Sequence, residues 1–212
     1  DSDLTLNEAR LIDHLPNVFG LIGDLATDDR QQVCEVVTTL TKGMEIDLTA
    51  FPTEGAGEIG ALGTLEDLDR YTYYVAGCVG EFWTDMVMAH TSAAEWWDRD
   101  EMGNLGVRFG KALQMTNVLR DVAQDLRIGR CYIPREELSN LDLEPEDLLG
   151  ISNGPSARPL LVSLLQLTLD HYDAAGRYIL ATPRSRVRLR LATIWPILIG
   201  LTTLATLARN PD

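Results

Sequence analysis

Gln114–Leu138 reads QMTNVLRDVAQDLRIGRCYIPREEL, and its first half has the period of a helix. Met115, Val118, Leu119 and Val122 give it an apolar side. Asn117, Asp121 and Asp125 recur every fourth residue, so they span only about 80° of the surface and form one column of oxygen donors. A solvated face is the plain reading of such spacing. The apolar company argues against it, as does the repulsion between Asp121 and Asp125 unless a cation lies near them. Carboxylate and amide oxygens are hard donors suited to Mg²⁺, which also binds substrate phosphates. Gln114 continues the stripe by a turn, Arg120 lies about 60° aside, and the turn Gly129-Arg130 returns a second guanidinium. The set suits a divalent cation with a diphosphate.

Outward from this stretch, the chain is helical in pattern nearly throughout. Thr5 and Glu8 have capping-box spacing ahead of Leu11, Ile12, Leu15 and Val18. Asp28 or Asp29 is expected to cap a second helix ending near Phe51. PTEGAGEIGALGT is expected to be a loop, and Thr64 to cap a third helix running to about Thr91. A break or a bent helix is expected at SAAEWWDRDEMGN, then a helix over about 105–126 and mostly loop to Asn153, with a short helix at 144–149. Helices over 159–180 and 184–209 close the chain. With no run of alternating strands, the fold class is all-α: a single-domain bundle over 1–212, with any site between helices.

A second unusual stretch is YTYYVAGCVG, Tyr71–Gly80. Glycines weaken a helix by up to about 1 kcal/mol each, so something must approach closely there, either another helix or a ligand. Tyr71, Val75 and Val79 place a phenol above an apolar stripe, which reads as core or as the wall of a greasy channel.

The bulk numbers exclude some classes. The 212 residues include 18 Lys and Arg against 32 acids, a formal net charge of -14. That opposes nucleic-acid binding, which relies on Lys and Arg. Cys34, Cys78 and Cys131 show no ligand spacing, which points to a reducing, cytoplasmic compartment. His14, His90 and His171 have no evident partner. LATIWPILIGLTTLATL, Leu191–Leu207, lies at the lower limit for spanning a bilayer and is expected to be a buried core helix.

Taken together, YTYYVAGCVG and GKALQMTNVLRDVAQDLRIGRCYIPREEL resemble the squalene/phytoene synthase family, in that family's order and spacing. The resemblance implies the all-α isoprenoid-synthase fold. It implies that Asn117, Asp121 and Asp125 hold Mg²⁺ against a prenyl diphosphate, that Arg120 and Arg130 bind diphosphate, and that Gln114 faces the cavity. Tyr71 would handle a proton, and Val75, Gly77 and Val79 would line the prenyl channel. The family's first aspartate-rich motif is not intact in residues 1–64. Asp1 or Asp3 is expected to be its end, with the helices that carry it preceding the chain. The residues from Pro196 look like the squalene-type ending, which implies farnesyl diphosphate as substrate and NADPH as reductant. Phytoene or dehydrosqualene formation, without reduction, is the alternative. Apolar products imply work near a membrane surface. Without the first motif, the resemblance implies instead a non-catalytic helical binding or assembly protein.

Overall fold

The computed structural model describes residues 5–51, 57–92 and 95–209; Asp1 and Asp3 lie outside them. The order is α1 (Leu6–Gly23), α2 (Thr27–Ala50), β1 (Gly60–Ala61), α3 (Leu65–Thr72), a π-helical turn (Tyr73–Gly77), α4 (Cys78–His90) and α5 (Arg99–Arg127). Then follow β2 (Arg130–Cys131), α6 (Arg135–Ser139), two short 3₁₀ turns, α7 (Gly154–Ala181) and α8 (Val187–Arg209). The all-α expectation holds, with one addition. β1 and β2 form a two-residue parallel ladder pairing Gly60 with Arg130 and Ala61 with Cys131.

Local chemistry sets several helix starts. Thr5 and Glu8 form the expected capping box, as do Thr64 and Asp67 before α3. The start of α2 differs from expectation. Ala26 occupies its cap position with no side-chain bond, and Asp28 and Asp29 fall in the first turn, where acids favour the positive helix end. α5 begins six residues before the expected start, because the Asp98 carboxylate accepts from the Glu101 N–H at 2.8 Å and caps it.

α5 is the axis of the molecule, packing against α3, α4, α7, α8 and β2. Its C-terminal half joins Leu68, Ile133, Leu138 and Leu164 in the main core. A second cluster places Ala112 against Tyr172, Ala175, Ile197 and Leu204 of α7 and α8. Each fully buried side chain of this kind contributes about 1.5–3 kcal/mol.

Close approach answers the question raised by the glycines. A Cβ at Gly80 would overlap the Gly106 carbonyl, and one at Gly110 would overlap that of Ala76. The chain therefore crosses from α4 to α5 backbone against backbone. The π turn preceding this crossing adds a residue to one turn. That offsets the drift of positions four apart in a 3.6-residue helix, keeping Tyr71, Val75 and Val79 together.

Two apolar faces remain uncovered among the described residues. Leu11, Ile12, Leu15 and Val18 of α1 are exposed, because α1 packs only lightly, against α2. α8 is long and apolar enough to cross a membrane by length and composition. It buries Thr193, Ile197, Gly200 and Leu204 on one face, while Trp195, Leu198 and Ile199 stay exposed. The expected buried core helix is thus buried on one side only.

Candidate active site

The acidic column stands on the C-terminal half of α5. Asn117 is exposed, while Asp121 and Asp125 are half-buried. Arg120 grips Asp121 through Nε and Nη2 at 2.8 and 2.6 Å. Those charged hydrogen bonds hold the Asp121 carboxyl below its ordinary range. Asp125 goes the other way. Burial raises its pKa, helped by the negative charges of Asp121 and Asp47 and opposed by Arg130 and Arg120.

Asp47, near the end of α2, faces this column from across the bundle. Its Oδ1 accepts from the Tyr132 hydroxyl at 3.1 Å, and its Oδ2 lies 3.7 Å from Nη1 of Arg130. Burial pushes its carboxyl up in spite of both partners. Tyr132 in turn stacks on Tyr71, ring centroids 4.9 Å apart and planes 27° apart. Tyr71 is 4% exposed. Burial, the neighbouring Tyr132 and the carboxylates of Asp47 and Asp125 raise its pKa far above the usual phenol value.

Arg130 reaches this group because of Gly129. Its φ of 86° is one that side-chained residues avoid, and it turns the chain out of α5 into β2. The Gly60 N–H donates to the Gly129 carbonyl at 2.9 Å and that of Leu62 to the Cys131 carbonyl at 3.1 Å, fixing the turn. Asp125, Arg130 and Tyr132 consequently line one narrow crevice.

Beside this polar group lies a cavity of about 300 Å³, lined by Val75, Val79, Trp83, Phe109, Leu113 and Gln114 among others. Val75 sits about one turn from Tyr71, and Gln114 about one turn from Asn117. Gly77 is not among the lining residues. It packs against Val107 and Lys111 of α5, and Ala76 and Gly80 complete the wall in its place. The structure thus gathers Tyr71, Asp125 and Arg130, leaves Arg120 paired with Asp121, and adds Asp47 and Tyr132. Tyr132 lay within the Gly-Arg-x-Tyr-x-Pro stretch, whereas Asp47 carried no signal beyond an acid beside Ile46 and Leu48.

Among the described residues no three His, Cys, Asp or Glu side chains are gathered to hold a metal by themselves. The donor set nevertheless suits a hard cation bound together with a ligand's phosphates. It offers only oxygens, and burial and mutual repulsion raise the pKa of two of its carboxylates, Asp47 and Asp125. A positive charge arriving there relieves that cost.

An all-α bundle with carboxylates and arginines beside an apolar cavity is the architecture of a terpenoid synthase. The squalene/phytoene synthase family model matches residues 4–212, and the chain belongs to that family. A bifunctional lycopene cyclase/phytoene synthase of Gibberella fujikuroi is 36% identical over 137 residues, 64% of this chain and 23% of its own. Phytoene synthase 2 of Solanum lycopersicum is 31% identical over 64% of this chain and 41% of its own. The squalene synthase of Eremothecium gossypii is 28% identical over 83% of this chain and 39% of its own. The chain therefore spans from about a quarter to two-fifths of the length of these relatives. Among solved structures, TcSQS with the ligand BPH1237 superposes with a TM-score of 0.78 over 99% of this chain and 58% of its own, at 20% identity. Squalene synthase HpnC of Alicyclobacillus acidocaldarius gives 0.66 over 89% and 61%, at 21%. These likenesses establish the fold.

Proposed function

We propose that this chain carries a squalene synthase site, condensing two farnesyl diphosphates head to head. The observation that carries the reading is the meeting of Tyr71, Asp47, Asp125 and Arg130 beside an apolar cavity. Asn117, Asp121 and Asp125 would hold Mg²⁺. When bound, Mg²⁺ supplies positive charge against the departing diphosphate. Arg130 meets the same group, and Arg120 has Nη1 free of its Asp121 bonds to do so.

Loss of diphosphate from one farnesyl chain leaves an allylic cation, which the double bond of the second chain attacks. Loss of a proton then closes the cyclopropane of presqualene diphosphate. The Tyr71 phenol is held neutral by its surroundings, so it accepts that proton while passing its own towards Tyr132 and Asp47. Asp47, with its raised pKa, is a suitable end to such a relay. Val75, Val79 and Leu113 keep water from the cations.

Presqualene diphosphate ionises in turn, and the ending decides the product. Hydride from NADPH gives squalene, the reading supported by the Pro196–Leu207 segment and by the 83% span of the match to a squalene synthase. Proton loss gives a phytoene- or dehydrosqualene-type product, the second reading, favoured by higher identities to phytoene synthases.

The test is to incubate the full-length protein with farnesyl diphosphate and Mg²⁺, with and without NADPH. Squalene formed only with NADPH supports the first reading, and a hydrocarbon formed regardless of NADPH supports the second. No turnover together with no Mg²⁺-dependent diphosphate binding would overturn both and leave a helical binding protein. Asp121→Ala and Asp125→Ala are each expected to abolish turnover while the circular dichroism stays native. Near-normal turnover in both would remove the metal column.

A further inference from the structure

Lys111 of α5 is 9% exposed, a burial that lysines reach only when their charge is paired. Its Nζ donates to Oδ1 of Asp69 on α3 at 2.5 Å. Its stem lies against Gly77, where an added Cβ would meet Lys111 Cγ at 3.5 Å. One side chain thus spans the whole π turn, from Gly77 at its end to Asp69, one turn ahead of its start. Among the described residues it makes the only ion pair between α3 and α5.

Asp69 sits where the winding changes. Its carbonyl accepts from Thr72 Oγ1 at 2.9 Å and shares the Tyr73 N–H with the carbonyl of Arg70. A π turn holds one residue more than an α turn. If it relaxed to α winding, α3 would rotate by about 100° relative to α4. Tyr71 would then leave its stack on Tyr132. Asp69 and Tyr71, two residues apart, point about 200° apart around α3. Lys111 therefore holds the side of α3 away from the phenol, and rotation would pull the Asp69 carboxylate from its Nζ. Desolvation offsets most of the attraction in a pair with a buried lysine, so what the pair chiefly supplies is geometry.

We propose that Lys111 is a positioning residue for the reaction: through Asp69 it fixes the rotation of α3 across the π turn, and so aims the Tyr71 phenol at Tyr132 and Asp47. The proposal rests on the reading of Tyr71 as the group that handles the proton. Lys111 itself lines neither the cavity nor the narrow crevice of Asp125, Arg130 and Tyr132. It acts through α3.

The experiment is a double-mutant cycle on turnover of farnesyl diphosphate by the full-length protein in Mg²⁺. Lys111→Met keeps the stem along Gly77 and removes the ammonium. Its kcat is expected to fall by about 10- to 100-fold, the scale of a misplacement by about an ångström. KM should stay within about threefold, since ground-state binding is untouched. Tm should be unchanged or higher, because an apolar group in place of a buried ion is neutral or stabilising. In a Tyr71→Phe background the same change should cost less than about twofold, because the phenol that it aims is gone. Asp69→Asn, at the exposed end of the pair, should show the same drop and the same dependence on Tyr71, and supplies the readout should Lys111→Met fold poorly. Equal losses in both backgrounds, or unchanged kcat in folded variants, would overturn the positioning role while leaving the site intact. Full turnover by Tyr71→Phe alone, or none by wild type, would overturn the reading of the site, and the positioning role with it.

Discussion

Asp47 shows how much of a site one residue can carry unannounced. Asp121 and Asp125 stand out in the sequence because a four-residue spacing is a geometric statement about a helix face. Asp47 has no such partner in its own helix. It joins the polar cluster only where folding brings Tyr132 and Arg130 to its two oxygens, a pairing across more than eighty residues that no local pattern encodes. Asp47→Asn should lower turnover by about 100-fold, the usual scale of acid–base assistance, with little change in KM. Turnover within threefold of wild type, measured by product formation, would remove Asp47 from the proton relay. Gly77 is the converse case. The family resemblance implies a place for it on a channel wall together with its neighbours, but within a π turn its small size serves contact with Val107 and Lys111 of α5.

At the level of elements, the glycines of the Tyr71–Gly80 stretch, with Gly106 and Gly110 of α5, turn out to join two long helices. Gly106 is the clearest case: its added Cβ would lie 2.5 Å from the Gly80 carbonyl oxygen and 2.6 Å from Thr84 Oγ1. Gly106→Ala is therefore expected to lower stability by about 1–3 kcal/mol or more, as overpacking does, seen as a lower Tm. An unchanged Tm would mean that α4 and α5 can separate freely. Helix identity and order were readable from apolar period and caps. Helix starts were less so, because Asp98 and Asp28 look equally fit to cap and only Asp98 does. Asp98→Ala should cost about 1 kcal/mol in urea denaturation, while Asp28→Ala should cost much less. The β1–β2 ladder was hidden for a different reason: two residues are too few for a period of two to be seen.

For the molecule as a whole, charge and burial set the response to conditions. Burial, together with Arg108 and Lys111, pushes His171 down to about 4, below the usual 6.5 of an imidazole. Between those values the unfolded chain binds more protons, so this contribution is complete above pH 6.5 and is lost as pH falls towards 4. Asp47 and Asp125, with raised pKa values, act in the opposite sense, so comparison with His171→Gln isolates the histidine. The variant should lose less stability than wild type between pH 7 and pH 5 in urea titrations; parallel curves would refute the assignment. Neither effect could be read in the sequence, where His171 stands without a visible partner. The crossing of α4 over α5 has one more consequence. Main-chain atoms touch at Gly80, Gly106 and Gly110, so one side of the cavity is peptide backbone packed on peptide backbone. Side chains facing the cavity can therefore change its lining while the wall behind them stays in place.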